Sequence, residues 1–252
     1  MDLTVIIGMI GALLSISLGD LMEGGNPVHV IHITSLIIVI PTAMCAAATG
    51  TEAHAIRAAF KELKMVFKKS PVDFESRIDD IVDYAITVKK FGVLALEKDL
   101  ATIDDDFLKE ALSMVVDGTK EEQIEESLEA IIEETEHYYH GASHYWLLAG
   151  ETCPVMGLIG AVLGLILALQ KLDNPAEMAA GIAGAFTATV TGIAGAYIFL
   201  GPWGNKMKAK AHLLIKDKQL ILAGAKAMAR GDVPGELKLK LTKMITAMPT
   251  KG

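Results

Sequence analysis

Cysteine is nearly absent: Cys45 and Cys153 are the only two, both in or beside apolar runs, so no disulfide framework and no metal-ligand cluster can be read from them. They read as small apolar packing residues. No basic stripe with interleaved aromatics is present and the formal charge is −8, which excludes nucleic acid as a partner, because nothing would neutralise its phosphates. The opening MDLTVII has no Lys or Arg and no A-x-A-like cleavage site, so the first apolar stretch is expected to stay in the protein as a helix. A nucleophile with its base, a third ligand near the HVIH pair His29 and His32, and a Gly-rich phosphate loop are all missing. These gaps argue against a membrane-embedded hydrolase or metalloenzyme; no catalytic residue, metal site or cofactor is expected.

What the chain has in abundance is apolar surface. Hydrophobic residues make up 52% of 252 residues and the mean hydropathy is +0.40, too apolar for an ordinary soluble protein. A bilayer core of about 30 Å needs roughly 20 apolar residues. Four stretches qualify, near Leu3 to Leu21, Val28 to Ala48, Cys153 to Leu169 and Met178 to Leu200. Of the 23 basic residues, 11 lie from Arg57 to Lys120 and 11 from Lys206 to Lys251, with Lys171 alone between the third and fourth spans. The excess of Lys and Arg marks both large polar segments, and with them both chain ends, as cytoplasmic. The links GGNP (Gly24 to Pro27) and LDNP (Leu172 to Pro175) then form the outer turns.

This predicts an all-α integral membrane protein with four transmembrane helices and a helical cytoplasmic domain inserted between the second and third. Residues 1–50 hold the first two spans, 51–150 the cytoplasmic domain, 151–202 the last two spans lining an ion pathway, and 203–252 a basic helical tail. Within the cytoplasmic domain, apolar residues recur every three or four positions in RAAFKELKMVFKK and IDDIVDYAITVKKFGVLALEKDL. Ser70-Pro71 and Asp117-Gly118-Thr119 are expected to separate its helices. In KEEQIEESLEAIIEETEHYYH, the residues Ile124, Leu128, Ile131 and Ile132 form one stripe beneath an acidic, solvated face.

No span carries an acid at its centre: Asp20 and Glu23 lie at the outer end of the first and Glu151 at the inner start of the third. Intramembrane ionisable groups are costly and mark function, so a pathway here needs its proton carrier from elsewhere. His29 and His32 read as interfacial or packing residues. The last two spans are rich in small residues, with Gly157, Gly160 and Gly164 along one helix face and Gly181, Gly184, Gly192 and Gly195 along another. Such seams let helices pack closely within or between subunits. Thr187, Thr189 and Thr191 either bond their own backbone or face a polar pathway. Pro154 and Pro202, at the two inner ends, read as helix punctuation.

Three segments, TCPVMGLIGAVLGL, TATVTGIAGAYIFLGPWGNKM and KKFGVLALEKDL, match motifs of the A subunit of flagellar motor stators. Over essentially its whole length the chain resembles that MotA/PomA family. The resemblance implies a ring of A subunits, a homopentamer, around a dimer of a peptidoglycan-anchored MotB-type B subunit whose membrane helix carries the ion-binding aspartate. It implies residence in the bacterial inner membrane among lipid. It assigns Pro154 and Pro202 to shaping the helices near that aspartate and Thr189 to facing it. Sodium-driven relatives carry a threonine where this chain has Ala161; the missing hydroxyl removes an oxygen ligand for sodium and makes H+ the preferred ion over Na+. Lys89 and Glu97 match the charged residues that meet the rotor protein FliG, with Lys in place of Arg and Lys90 able to share the role. The nearest competing reading is a TolQ/ExbB-type transducer, which usually has three spans.

Overall fold

The structure, a computed structural model, describes residues 2–26, 32–69 and 72–246. Among them all regular structure is helical, and the helices gather into two compact units, residues 1–69 with 138–210 and residues 70–137 with 211–252. These units cut the chain elsewhere than the four-part division above, because two long helices each contribute to both.

In the first unit, α1 (Leu3–Met22) is an apolar 20-residue helix with no buried residue. It is about 30 Å long, the thickness of a bilayer core. α2 (Ile33–Thr49) continues through Pro41 and buries Ser35, Val39, Ala43 and Ala47 at four-residue intervals. Val28 and His29, within the expected second span, lie outside the described residues, as do Pro27, Ser70 and Pro71. α3 (Ala53–Phe67) buries Ala55, Ala58, Ala59 and Val66. α7 (Glu121–Leu169) has 49 residues, about 74 Å, and belongs to both units. The helix runs unbroken through Pro154, so the reading of that proline as a helix boundary is corrected. α8 (Pro175–Ala194) starts with Asn174 accepting from the Glu177 amide, an N-cap with Pro at the first turn. A six-residue π segment, Gly195–Leu200, then joins it to α9 (Gly201–Arg230). Pro202 therefore does not stop the rod either: the missing donor is absorbed by widening the turn just before it.

Three described helices, Leu3–Met22, Glu121–Leu169 and the Pro175–Arg230 rod, are long and apolar enough to cross a membrane, and Ile33–Thr49 is a shorter apolar helix. Most of α1 and one face of α7 are exposed hydrocarbon, among them Ile7, Leu14, Leu158 and Leu167. So large a greasy surface needs lipid or a protein partner to cover it.

The second unit is built from α4 (Phe74–Phe91), a 3-10 turn (Val93–Leu96), α5 (Glu97–Leu100), α6 (Asp106–Val116), the first part of α7, the last part of α9, and α10 (Pro234–Thr246). Asp73 and Asp105 cap α4 and α6 by accepting from the amides two and three residues on. Ile78, Ile81, Leu112, Ile124, Leu128 and Leu220 are core residues here. Arg77 fastens three helices. Its Nε and Nη2 donate to Asp217 at 2.8 and 2.9 Å, and Nη2 also donates to Asp105, the α6 cap, at 2.6 Å.

Candidate functional site: a small-residue seam with a charged foot

Alternating tolerance for bulk defines the contact between α7 and α8. A Cβ on Gly157 would stand 2.9 Å from the Ala188 carbonyl oxygen and 3.4 Å from the Thr189 Cα. One on Gly192 would stand 2.8 Å from the Cys153 oxygen and 3.2 Å from the Pro154 Cα, and one on Gly164 would stand 3.0 Å from Ala185. Gly160 faces the Ala188 methyl at 2.9 Å and Gly181 faces Ala168 at 3.0 Å. The two backbones thus touch along most of the pair, a separation available only to residues with little or no side chain. Gly184 is different: a Cβ there meets nothing within 4 Å, so within this subunit it does not belong to the seam.

The same close approach recurs lower down, where a Cβ on Gly150 would lie 2.9 Å from the Gly201 nitrogen. Pro154 cannot donate to the Gly150 carbonyl, and Pro202 follows Gly201 directly, so both prolines flank this crossing. Gly150 and Gly201 carry little signal in the sequence. Each lies at the edge of an apolar stretch, outside the denser glycine runs that follow Pro154 and precede Leu200. Thr189 is half-buried with its hydroxyl 3.4 Å from the Ala185 oxygen, and Ala161, also half-buried, offers no polar side-chain atom. Thr191 donates to the Thr187 oxygen at 2.7 Å, and Thr187 meets buried Ser35 of α2 hydroxyl to hydroxyl at 3.2 Å. Ser35 also lies 3.3 Å from His32 Nδ1. His29 is outside the described residues, and among those described no group of three or more His, Cys, Asp or Glu could hold a metal ion.

Below the seam sits an aromatic cluster with a charged foot. Trp146 packs edge-on against Phe60 and Trp203, with centroids at 5.1 and 5.5 Å, and donates its indole N–H to the Ala59 oxygen at 3.1 Å. Asp2 accepts from Lys206 at 2.8 Å, Lys210 at 3.0 Å and Thr4 at 2.7 Å. Lys210 is buried and donates as well to the Met65, Val66 and Lys68 carbonyls, closing the C-terminus of α3. The Lys206 hydrogen bond, followed by those from Thr4 and Lys210, holds the Asp2 carboxyl well below the usual carboxylate range. An Asp before an apolar run and two Lys four apart are visible in the sequence; their pairing across some 200 residues is not.

The sequence-predicted charged residues Lys89, Lys90 and Glu97 lie in the second unit and are exposed. They do not share one helix: α4 ends at Phe91, Gly92 takes φ +84°, and Glu97 begins α5 after a 3-10 turn. Lys89 donates to the Gly231 oxygen at 2.9 Å. Phe91 and Leu94, 75% and 69% exposed, stand beside these charges.

Comparison with known proteins places this geometry. Residues 99–219 match the MotA/TolQ/ExbB proton channel family. Motility protein A of Helicobacter pylori (strain ATCC 700392 / 26695) is 54% identical over 245 residues, covering 97% of this chain and 95% of that protein. Motility protein A of Bacillus subtilis (strain 168) is 30% identical over 98% of this chain and 92% of its own. Among solved structures, a chain of C. jejuni MotAB superposes with a TM-score of 0.94 at 49% identity, covering 100% of this chain and 98% of that one. A chain of the Bacillus subtilis flagellar MotAB stator complex gives 0.87 at 29%, covering 98% and 97%. The chain belongs to the motility protein A family.

Proposed function

We propose that this protein is the channel-forming A subunit of a flagellar stator, working with a MotB-type B subunit to turn ion flow into torque. The observation that carries the reading is the near full-length match, at 54% identity, to a motility protein. In this reading the chain crosses the bacterial inner membrane four times with both ends inside, and five copies surround a B dimer. The seam of Gly157, Gly160, Gly164 and Gly192, bracketed by Pro154 and Pro202, holds two helices rigidly beside the pathway, with Thr189 and Ala161 near the ion. H+ is preferred over Na+ because Ala161 gives sodium no oxygen. Lys89, Lys90 and Glu97 meet FliG.

The chain supplies no mid-span acid, so the titrating carboxyl comes from the partner, and neutralising it changes which arrangement of A subunits has the lowest energy. A proton crossing about 150 mV releases roughly 3.5 kcal/mol, at about 2.3 kcal/mol per 100 mV. That suffices to bias a switch of a few kcal/mol. The test is tethered-cell rotation with the sodium and proton gradients varied separately, in cells carrying this chain as the sole A subunit. Rotation should follow the proton gradient and persist without sodium; rotation that stops when sodium is withdrawn refutes the ion assignment. Pro154→Leu should leave the complex in the membrane and abolish rotation.

A further inference from the structure

Beside the first half of α1 runs a groove of about 520 Å³, closed on its other side by the π segment and the start of α9. Val5, Gly8, Met9 and Ala12 form one wall, and Tyr197, Ile198 and Pro202 the other. Its foot is polar, made by Thr4, Asn205 and Lys206. From Thr4 to Ala12 is eight residues of helix, about 12 Å, close to the roughly 15 Å of hydrocarbon in one leaflet. A Cβ on Gly8 would meet nothing within 4 Å, so the groove is open space between helices and not a packing seam.

The foot carries an unbalanced charge. Asp2 is one anion facing two ammonium groups, Lys206 and Lys210. Lys210 spends its donors on Asp2 and the carbonyls closing α3. Lys206 donates to Asp2 at 2.8 Å and Thr4 at 3.2 Å, which uses two of its three N–H groups. A third N–H is left over, in a side chain that is 31% exposed and lines the groove's foot.

We propose that this groove binds an anionic phospholipid of the cytoplasmic leaflet, its acyl chain along Gly8 and Ile198 and its phosphate on Lys206 and Asn205. The proposal rests on the membrane topology given above. An apolar channel spanning most of a leaflet that ends in a net positive foot fits a chain with a negative head, and a zwitterionic lipid fits it less well.

The experiment is native mass spectrometry of the complete stator complex, released from detergent with equal phosphatidylglycerol and phosphatidylcholine of matched chains. Wild type should retain phosphatidylglycerol about fivefold over phosphatidylcholine, the worth of one Lys near a headgroup. Lys206→Gln should bring that ratio to about one while lipid is still retained. Gly8→Leu, at a residue that lines the groove and whose Cβ would meet nothing within 4 Å, should lose both lipids, and exposed Lys208→Gln should change nothing. An unchanged ratio in Lys206→Gln, or unchanged retention in Gly8→Leu, overturns the site. A disulfide between two copies of Gly8→Cys overturns it as well, by seating a neighbouring subunit in the groove. Release of the chain from membranes by alkaline wash without detergent would instead overturn the topology; failure of the lipid arms in a chain that stays in the membrane overturns the lipid site alone.

Discussion

Replacing Gly192 by Ala places a methyl 2.8 Å from the Cys153 oxygen and 3.0 Å from the Gly157 Cα, both backbone atoms that cannot swing aside. The helices must part by several tenths of an ångström, and forced overpacking of this kind costs about 1–3 kcal/mol. Exchanging Gly for Ala also returns up to about 1 kcal/mol of helix propensity, which blurs the single measurement. Gly184→Ala removes that ambiguity. It lies on the same helix, gains the same propensity and meets nothing within 4 Å, so the difference between the two variants isolates the overpacking. Reversible unfolding of the isolated subunit in mixed micelles should place Gly192→Ala about 1–3 kcal/mol below Gly184→Ala, a ratio of roughly 5- to 150-fold in the unfolding constant. Equal stabilities would refute the seam. Stability retained by Gly184→Ala in the isolated subunit, with assembly lost in the complex, would move Gly184 to an interface between subunits.

Arg77→Ala should destabilise the second unit by about 3–5 kcal/mol, because it leaves the buried Asp217 carboxylate unpaired, whereas Arg77→Lys should cost less; protease susceptibility of residues 70–137 in the whole complex reads both. The Asp2 clamp should contribute fully above about pH 5, where the unfolded carboxyl is almost wholly ionised, and fade as pH falls from there through its depressed folded pKa. Asp2→Asn should therefore lower thermal stability at neutral pH and flatten the acid limb below pH 5, and a difference in slope between pH 5 and 8 would contradict it. On the rotor contact proposed above, Lys90→Glu should impair swimming more than Lys89→Ala, since Lys89 is tied to the Gly231 carbonyl while Lys90 is exposed, with stator assembly followed by fluorescence at the motor.

Composition and periodicity made the helical class legible, and the small residues of the last two apolar stretches showed where two helices approach. The prolines misled as boundaries, because a helix in an apolar setting tolerates a lost donor, in one case by widening the adjoining turn, as at Gly195–Leu200 before Pro202. Gly184 could not be told from Gly192 by sequence, since which face a glycine presents depends on helix rotation. The apolar periodicity of IDDIVDYAITVKKFGVLALEKDL carries no sign of the break between Lys89 and Glu97, which the positive φ at Gly92 makes. The Asp2–Lys206–Lys210 clamp and the Arg77 fork join residues far apart in the chain, and charge counting carries no trace of such pairing.

The most direct test of the central claim is deletion of this gene, with flagella counted by electron microscopy and swimming scored in the same cells. The stator account predicts flagella in normal number that do not turn, and full swimming restored by the wild-type gene but not by Pro154→Leu. Normal swimming in the deletion strain, with no second stator set present, would contradict it.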